Sequence, residues 1–271
     1  MQGSQQGSSQ NKVWQSAVII SILAAIIINA LSNFFPISGQ NIGEISNTIF
    51  APVLITPANY AFAIWGLIYI GLIAFGIYQA SPAQRDNARL EKVRAPIVAA
   101  CVFQMVWVFL FTAQQFWLSV VLMFGILLSL IAAYGWSRME SSELRGANRV
   151  AQDEKIFSQI PISLYLGWIS VASIVNVASA LYISGWDGWG IAPVVWTGVM
   201  LAIAAAMTTI ITIQFQDAAF GFVIVWALIA IAVRQSGQLA LSATAFGLAI
   251  ALLLLIGFTQ YKSKQYKSGD L

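Results

Sequence analysis

Eight apolar stretches, each about the length needed to cross a bilayer, restrict what this chain can fold into. They run over about 13–35, 57–79, 96–113, 117–137, 159–183, 191–213, 219–234 and 239–261. A helix needs roughly 20 apolar residues to span the hydrocarbon. Lipid offers the backbone no hydrogen bonds, so each stretch has to be helical. Composition agrees: 59% of the 271 residues are apolar and 8% are charged, against about a quarter charged in a soluble domain. The predicted fold class is all-α, a polytopic membrane helix bundle of about eight transmembrane helices. The seventh stretch is the shortest and ends at Arg234, which predicts a short or tilted helix. Only Ala113-Gln114-Gln115 parts the third stretch from the fourth, so these two should form a tight antiparallel hairpin.

Residues 1–12 are rich in Gln, Ser and Gly and read as a disordered tail. The first apolar run is longer than a signal-peptide core, and no small-residue cleavage site follows it. It is therefore read as a span, and the protein is placed in an inner or plasma membrane. Lys and Arg set the orientation. With the N-terminus inside, the inner segments hold Lys12, then Arg85, Arg89, Lys92 and Arg94, then Arg138, Arg145, Arg149 and Lys155, and last Lys262, Lys264 and Lys267. Only Arg234 falls outside, where the loops carry Glu44 and Asp187. Both termini are thus expected in the cytoplasm, with residues 262–271 as a basic cytoplasmic tail.

The residue inventory removes whole classes of chemistry. The chain has no His and one Cys, which excludes His-based acid–base catalysis, His-ligated haem, thiolate zinc and iron–sulfur sites. The net charge is +3 and the basic residues flank spans, so nucleic acid is not an expected partner. No Asp, Glu, Lys or Arg lies well inside a span, which argues against a proton- or ion-coupled pump. The intramembrane polar groups are neutral, with Gln104 in the third span and Ser163, Ser170, Ser173 and Asn176 in the fifth. Trp14, Trp117, Trp136, Trp186 and Trp189 sit at span ends, where interfacial anchors belong. Trp65, Trp107, Trp168, Trp196 and Trp226 lie within spans or close to an end and need another reason.

Helical spacing groups several of these side chains. Tyr165, Trp168, Ala172 and Asn176 share one face of the fifth span at 100° per residue. Ala61, Trp65 and Tyr69 line a face of the second span, and Gln104, Trp107 and Phe111 a face of the third. Such faces either line a pocket for a flat apolar ligand or form helix–helix seams. Spacing alone leaves both open.

The same residues carry a family resemblance. Thr56-Pro57-Ala58-Asn59-Tyr60-Ala61-Phe62-Ala63-Ile64-Trp65-Gly66-Leu67-Ile68-Tyr69 resembles the second-helix signature of the TspO/MBR family, the tryptophan-rich sensory proteins and translocator protein. Tyr165-Leu166-Gly167-Trp168-Ile169-Ser170-Val171-Ala172-Ser173-Ile174-Val175-Asn176 resembles its fifth-helix signature, and Gln104-x-x-Trp107 its third helix. The chain departs from the pattern in having a single Pro57 where two prolines are usual, and Leu164 with Pro161 further upstream where a proline precedes the tyrosine. The resemblance covers about 13–183, which it implies is a five-helix bundle, leaving 184–261 as a three-helix membrane extension.

That resemblance implies a ligand pocket beneath the loop joining the first two helices. Its ligand-binding residues would be Tyr60, Phe62, Trp65 and Tyr69, then Gln104 and Trp107, then Tyr165, Trp168, Ala172 and Asn176. The implied function is an integral membrane receptor, sensor or carrier binding a hydrophobic planar ligand, a tetrapyrrole such as a porphyrin or bilin. No cofactor is required and no metal site is expected. Facilitated transport of an apolar solute and light-dependent porphyrin degradation are the alternatives, as is a purely structural role in a membrane assembly. The expected partners are the lipid bilayer and the small ligand. Gly198, Ala202 and Ala206 at small-xxx-small spacing also fit a homodimer.

Overall fold

The computed structural model describes residues 2–139 and 152–268; among these the regular structure is helical, with no strand. Arg145, Arg149 and the last three residues of the basic tail lie outside the described residues. In chain order the helices are α1 (Gln2–Phe34), α2 (Ile42–Asn47), α3 (Ile64–Ala80), α4 (Ala88–Thr112), α5 (Phe116–Ser137), α6 (Ile160–Ile183), α7 (Pro193–Phe215), α8 (Ala218–Arg234) and α9 (Leu239–Ser268). A 3₁₀ turn, Asn59–Ala63, leads into α3, and a π turn, Lys155–Gln159, leads into α6. Among the described residues seven helical segments are long and apolar enough to cross a membrane, so the protein is an all-α polytopic membrane protein. The seventh apolar stretch is the exception. At 17 residues, α8 reaches about 25 Å at 1.5 Å per residue, short of the roughly 30 Å hydrocarbon thickness.

Helix boundaries overrun the apolar stretches. Residues 2–12, expected to be disordered, are the first turns of α1. Gln is a good helix former, and a helix already nucleated in the apolar run propagates at little cost. Helix α4 starts at Ala88, well before position 96, because Asn87 caps it. The Asn87 side chain accepts from the backbone N–H of Arg89 at 3.0 Å and of Leu90 at 3.3 Å, satisfying two orphan donors. The π turn lies directly upstream of Pro161. A proline there supplies no N–H and its ring crowds the carbonyl four residues back, so regular α geometry gives way at that point.

The chain divides into two compact units. The first comprises Met1–Ile42 and Trp65–Ile169, the second Gly43–Ile64 and Ser170–Leu271. In the first, α4 and α5 form the expected hairpin. Its turn places Gln114 at φ 60°, with the Gln115 N–H donating to the Leu110 carbonyl at 2.8 Å. Arg94 is fully buried in this unit, although sequence alone assigns it to an inner loop that sets topology. Its guanidinium donates to Gln79 Oε1 at 3.2 Å, the Gln84 carbonyl at 2.7 Å and the Arg85 carbonyl at 3.1 Å. Gln79 in turn exchanges two bonds with Gln15 of α1, at 2.7 and 3.0 Å. A buried charge survives only with such partners.

In the second unit α7, α8 and α9 pack together. Asp217 caps α8 by accepting from the Phe220 N–H at 3.1 Å. At Gly221 a Cβ would lie 2.7 Å from Ile256 Cδ1, so a larger residue there would require the end of the Ile256 side chain to move. Arg234, the lone basic residue assigned to the outer side, has a local task here. It donates to Asn47 Oδ1 at 2.9 Å, the Ser46 carbonyl at 2.9 Å and the Pro57 carbonyl at 3.3 Å. Gln235 adds a bond to the Leu54 carbonyl at 2.8 Å, and the Ala58 N–H donates to the Ala230 carbonyl at 3.1 Å. The end of α8 thereby holds the segment 46–58 in place.

Candidate functional site

Six of the ten residues singled out by sequence lie in the first unit: Trp65, Tyr69, Gln104, Trp107, Tyr165 and Trp168. Helical spacing puts Trp65 and Tyr69 one turn apart on α3, and their rings stack with centroids 5.3 Å apart and planes at 28°. Tyr165 of α6 meets Trp65 edge-on at 5.9 Å. Gln104 of α4 stands between the two phenols. Its amide Nε2 donates to the Tyr69 hydroxyl at 3.1 Å, and its carbonyl oxygen accepts from the Tyr165 hydroxyl. Three helices therefore converge through four side chains, and the primary amide has partners for both of its ends, as burial requires. Gln104 and Tyr165 are buried. Trp65 and Tyr69 are only half-buried.

Trp107 and Trp168 belong to the same unit and are buried. Trp107 stacks on Phe111 at 5.0 Å, and Phe111 meets Phe116 edge-on at 5.5 Å. The other four candidates fall in the second unit. Tyr60 packs edge-on against Trp226 at 5.3 Å, and the Trp226 indole N–H donates to the Ala61 carbonyl at 3.0 Å. This contact gives Trp226 the role that its position within a span left open: it fastens α8 to the turn that starts α3. Phe62 and Ala172 are half-buried, and Asn176 is buried.

Sequence reasoning missed a cleft of about 390 Å³ in the second unit. One wall is Pro52–Ile55 of the segment that Arg234 and Gln235 hold. The other walls are the last turns of α6, the first turns of α7, and the connection between them, including Trp186 and Trp196. The connection reads Gly-Trp-Asp-Gly-Trp-Gly over 185–190. Asp187 caps its 3₁₀ turn by accepting from the Trp189 N–H at 2.9 Å, and Trp189 itself is held at φ 55°. Gly188, at φ 67°, accepts the Trp196 indole N–H at 2.8 Å through its carbonyl, and a Cβ on it would sit 3.3 Å from that ring. Trp186, Trp189 and Trp196 contact one another with centroids 5.3–5.7 Å apart. The signal was present in the repeated Gly-Trp pairs beside Trp196, but span-end tryptophans ordinarily serve as interfacial anchors.

Chemically, the first unit offers an aromatic platform with its polar groups fixed, and the second an apolar hollow. Among the described residues no group of three His, Cys, Asp or Glu side chains is placed to hold a metal ion. The family model described as TSPO-like protein matches residues 15–258. That match extends through α7 and α8 into α9, beyond the motifs at 56–69 and 165–176. No curated protein and no solved structure matches the chain.

Proposed function

Because the chain belongs to the TSPO-like protein family, we propose that it is a membrane receptor, sensor or carrier for a flat apolar ligand, a tetrapyrrole such as a porphyrin or bilin. The supporting observation is the Trp65–Tyr69 stack backed by the Gln104 bridge. A planar ligand gains most where aromatic faces are already oriented and partly uncovered. The two hydroxyls and the amide are committed to one another, so a ligand stacking on the rings strands no polar group. Trp107 and Trp168 of the same unit complete the proposed binding set. With no His in the chain, a metal-free pigment held by stacking suits this surface better than an axially ligated haem.

The orientation proposed with this function has both termini in the cytoplasm, supported by the asymmetry of Lys and Arg between loops. The function is tested by titrating purified protein with protoporphyrin IX and following tryptophan quenching. The Trp65→Ala variant should lose about tenfold in affinity, because one stacking contact is worth ~0.5–1.5 kcal/mol beyond the area it buries. Unchanged affinity in that variant would remove the platform from the account.

A further inference from the structure

The cleft in the second unit has a chemistry of its own. Its volume of about 390 Å³ falls in the roughly 300–1,000 Å³ range of small-molecule sites. Pro52, Val53, Leu54, Val177, Leu181 and Met200 supply aliphatic wall, and Tyr182, Trp186 and Trp196 supply rings. Two of the polar groups in the lining are already used. The Thr197 hydroxyl donates to the Pro193 carbonyl at 2.8 Å, and the Trp196 indole N–H to Gly188. Asp187 is the one ionisable carboxylate in the lining, no Lys or Arg lines the cleft, and Asp187 is exposed. Among the described residues no basic side chain forms an ion pair with it. A lining with aromatic faces, one negative charge and no positive charge attracts organic cations and repels the carboxylates that porphyrins carry.

We propose that this cleft is a second ligand site, taking an amphiphile whose apolar body fills the hollow and whose ammonium head meets Asp187 and the Trp186 and Trp196 rings. The loop is built to keep that charge in position. Asp187 is fixed as the cap of the Gly188–Gly190 turn, Gly188 carries the Trp196 ring, Gln235 bonds the facing wall at Leu54, and Arg234 bonds that segment on either side, at Ser46 and Pro57. None of this depends on the residues of the proposed porphyrin platform. The ammonium could come from a free amphiphilic amine or from a choline headgroup, and both present the same chemistry to the site.

The test uses the full chain in dodecyl maltoside, titrated calorimetrically with a phenylalkyl trimethylammonium and with its uncharged tert-butyl isostere. The cation should bind saturably and about tenfold more tightly than the isostere, in keeping with a partly desolvated cation–π contact. Asp187→Asn retains the turn cap, since Asn accepts the same N–H, and should lower the cation's affinity several-fold, leaving only the preference that the rings supply. Trp65→Ala should leave both affinities unchanged, which separates this site from the porphyrin platform. Competition by short-chain phosphatidylcholine, with none by phosphatidylglycerol, would identify the headgroup as the source. Absence of competition would identify a free amine. Equal binding of cation and isostere, or full cation affinity in Asp187→Asn, would overturn the proposal.

Discussion

The candidate sites of the two units handle polar groups near lipid in opposite ways. In the first, Gln104, Tyr69 and Tyr165 bring their polar atoms together from three helices, and the aromatic rings follow them into contact. In the second, the polar atoms are spent on holding loops: Arg234 on 46–57, Asp187 on its own turn, Trp196 on Gly188. The first arrangement makes a closed cluster of hydrogen-bonded and stacked side chains. The second props two walls apart and leaves a hollow. Hydrogen bonds between helices draw helices together, whereas hydrogen bonds from helix ends to loops can hold space open.

The comparison breaks most sharply at Gln104. Gln104→Leu should strand the Tyr165 hydroxyl, which is fully buried, together with that of Tyr69. An unsatisfied buried polar group costs ~1–3 kcal/mol, so a loss of about 2–4 kcal/mol is expected, read as a lower thermal midpoint in detergent. Converting all three partners together, Tyr69→Phe, Gln104→Met and Tyr165→Phe, should recover most of that loss. A triple variant as unstable as Gln104→Leu would show that packing, not polar satisfaction, sets the geometry of the first unit.

A smaller effect is expected at Arg234. Arg234→Gln should release the segment 46–57 and cost roughly 1–2 kcal/mol, since the side chain is half-buried and its bonds are partly screened. Hydrogen–deuterium exchange should speed up over 46–57. Ammonium binding in the cleft should weaken, while porphyrin binding stays as in the parent. If the variant shifted porphyrin affinity instead, the functional separation of the two regions would fail.

Much of the first unit was legible in the sequence, because a helix turns chain spacing into shared faces. Trp65 and Tyr69 are one turn apart, and Tyr165 opens the motif on the fifth span, so their faces could be drawn before any coordinates. Helix ends were less legible. Asn87 and the helical run from Gln2 extend α4 and α1 beyond the apolar residues, and hydropathy does not register a cap. Arg94 looked like a loop charge because its burial depends on acceptors contributed by Gln79, Gln84 and Arg85. The cleft was illegible for a related reason. Its walls come from 52–55 and 177–200, and the bonds that set them cross nearly two hundred residues of chain, as from Arg234 to Ser46. No local period records a contact of that kind.

One measurement weighs the two regions against each other directly: photolabelling of the intact protein with a diazirine derivative of protoporphyrin IX, followed by peptide mapping. The account predicts that label falls on the peptides carrying Trp65, Tyr69 and Trp168, is displaced by unlabelled porphyrin, and spares the 177–200 segment. Label concentrated on Trp186, Trp196 and their neighbours, with none on α3, would contradict it.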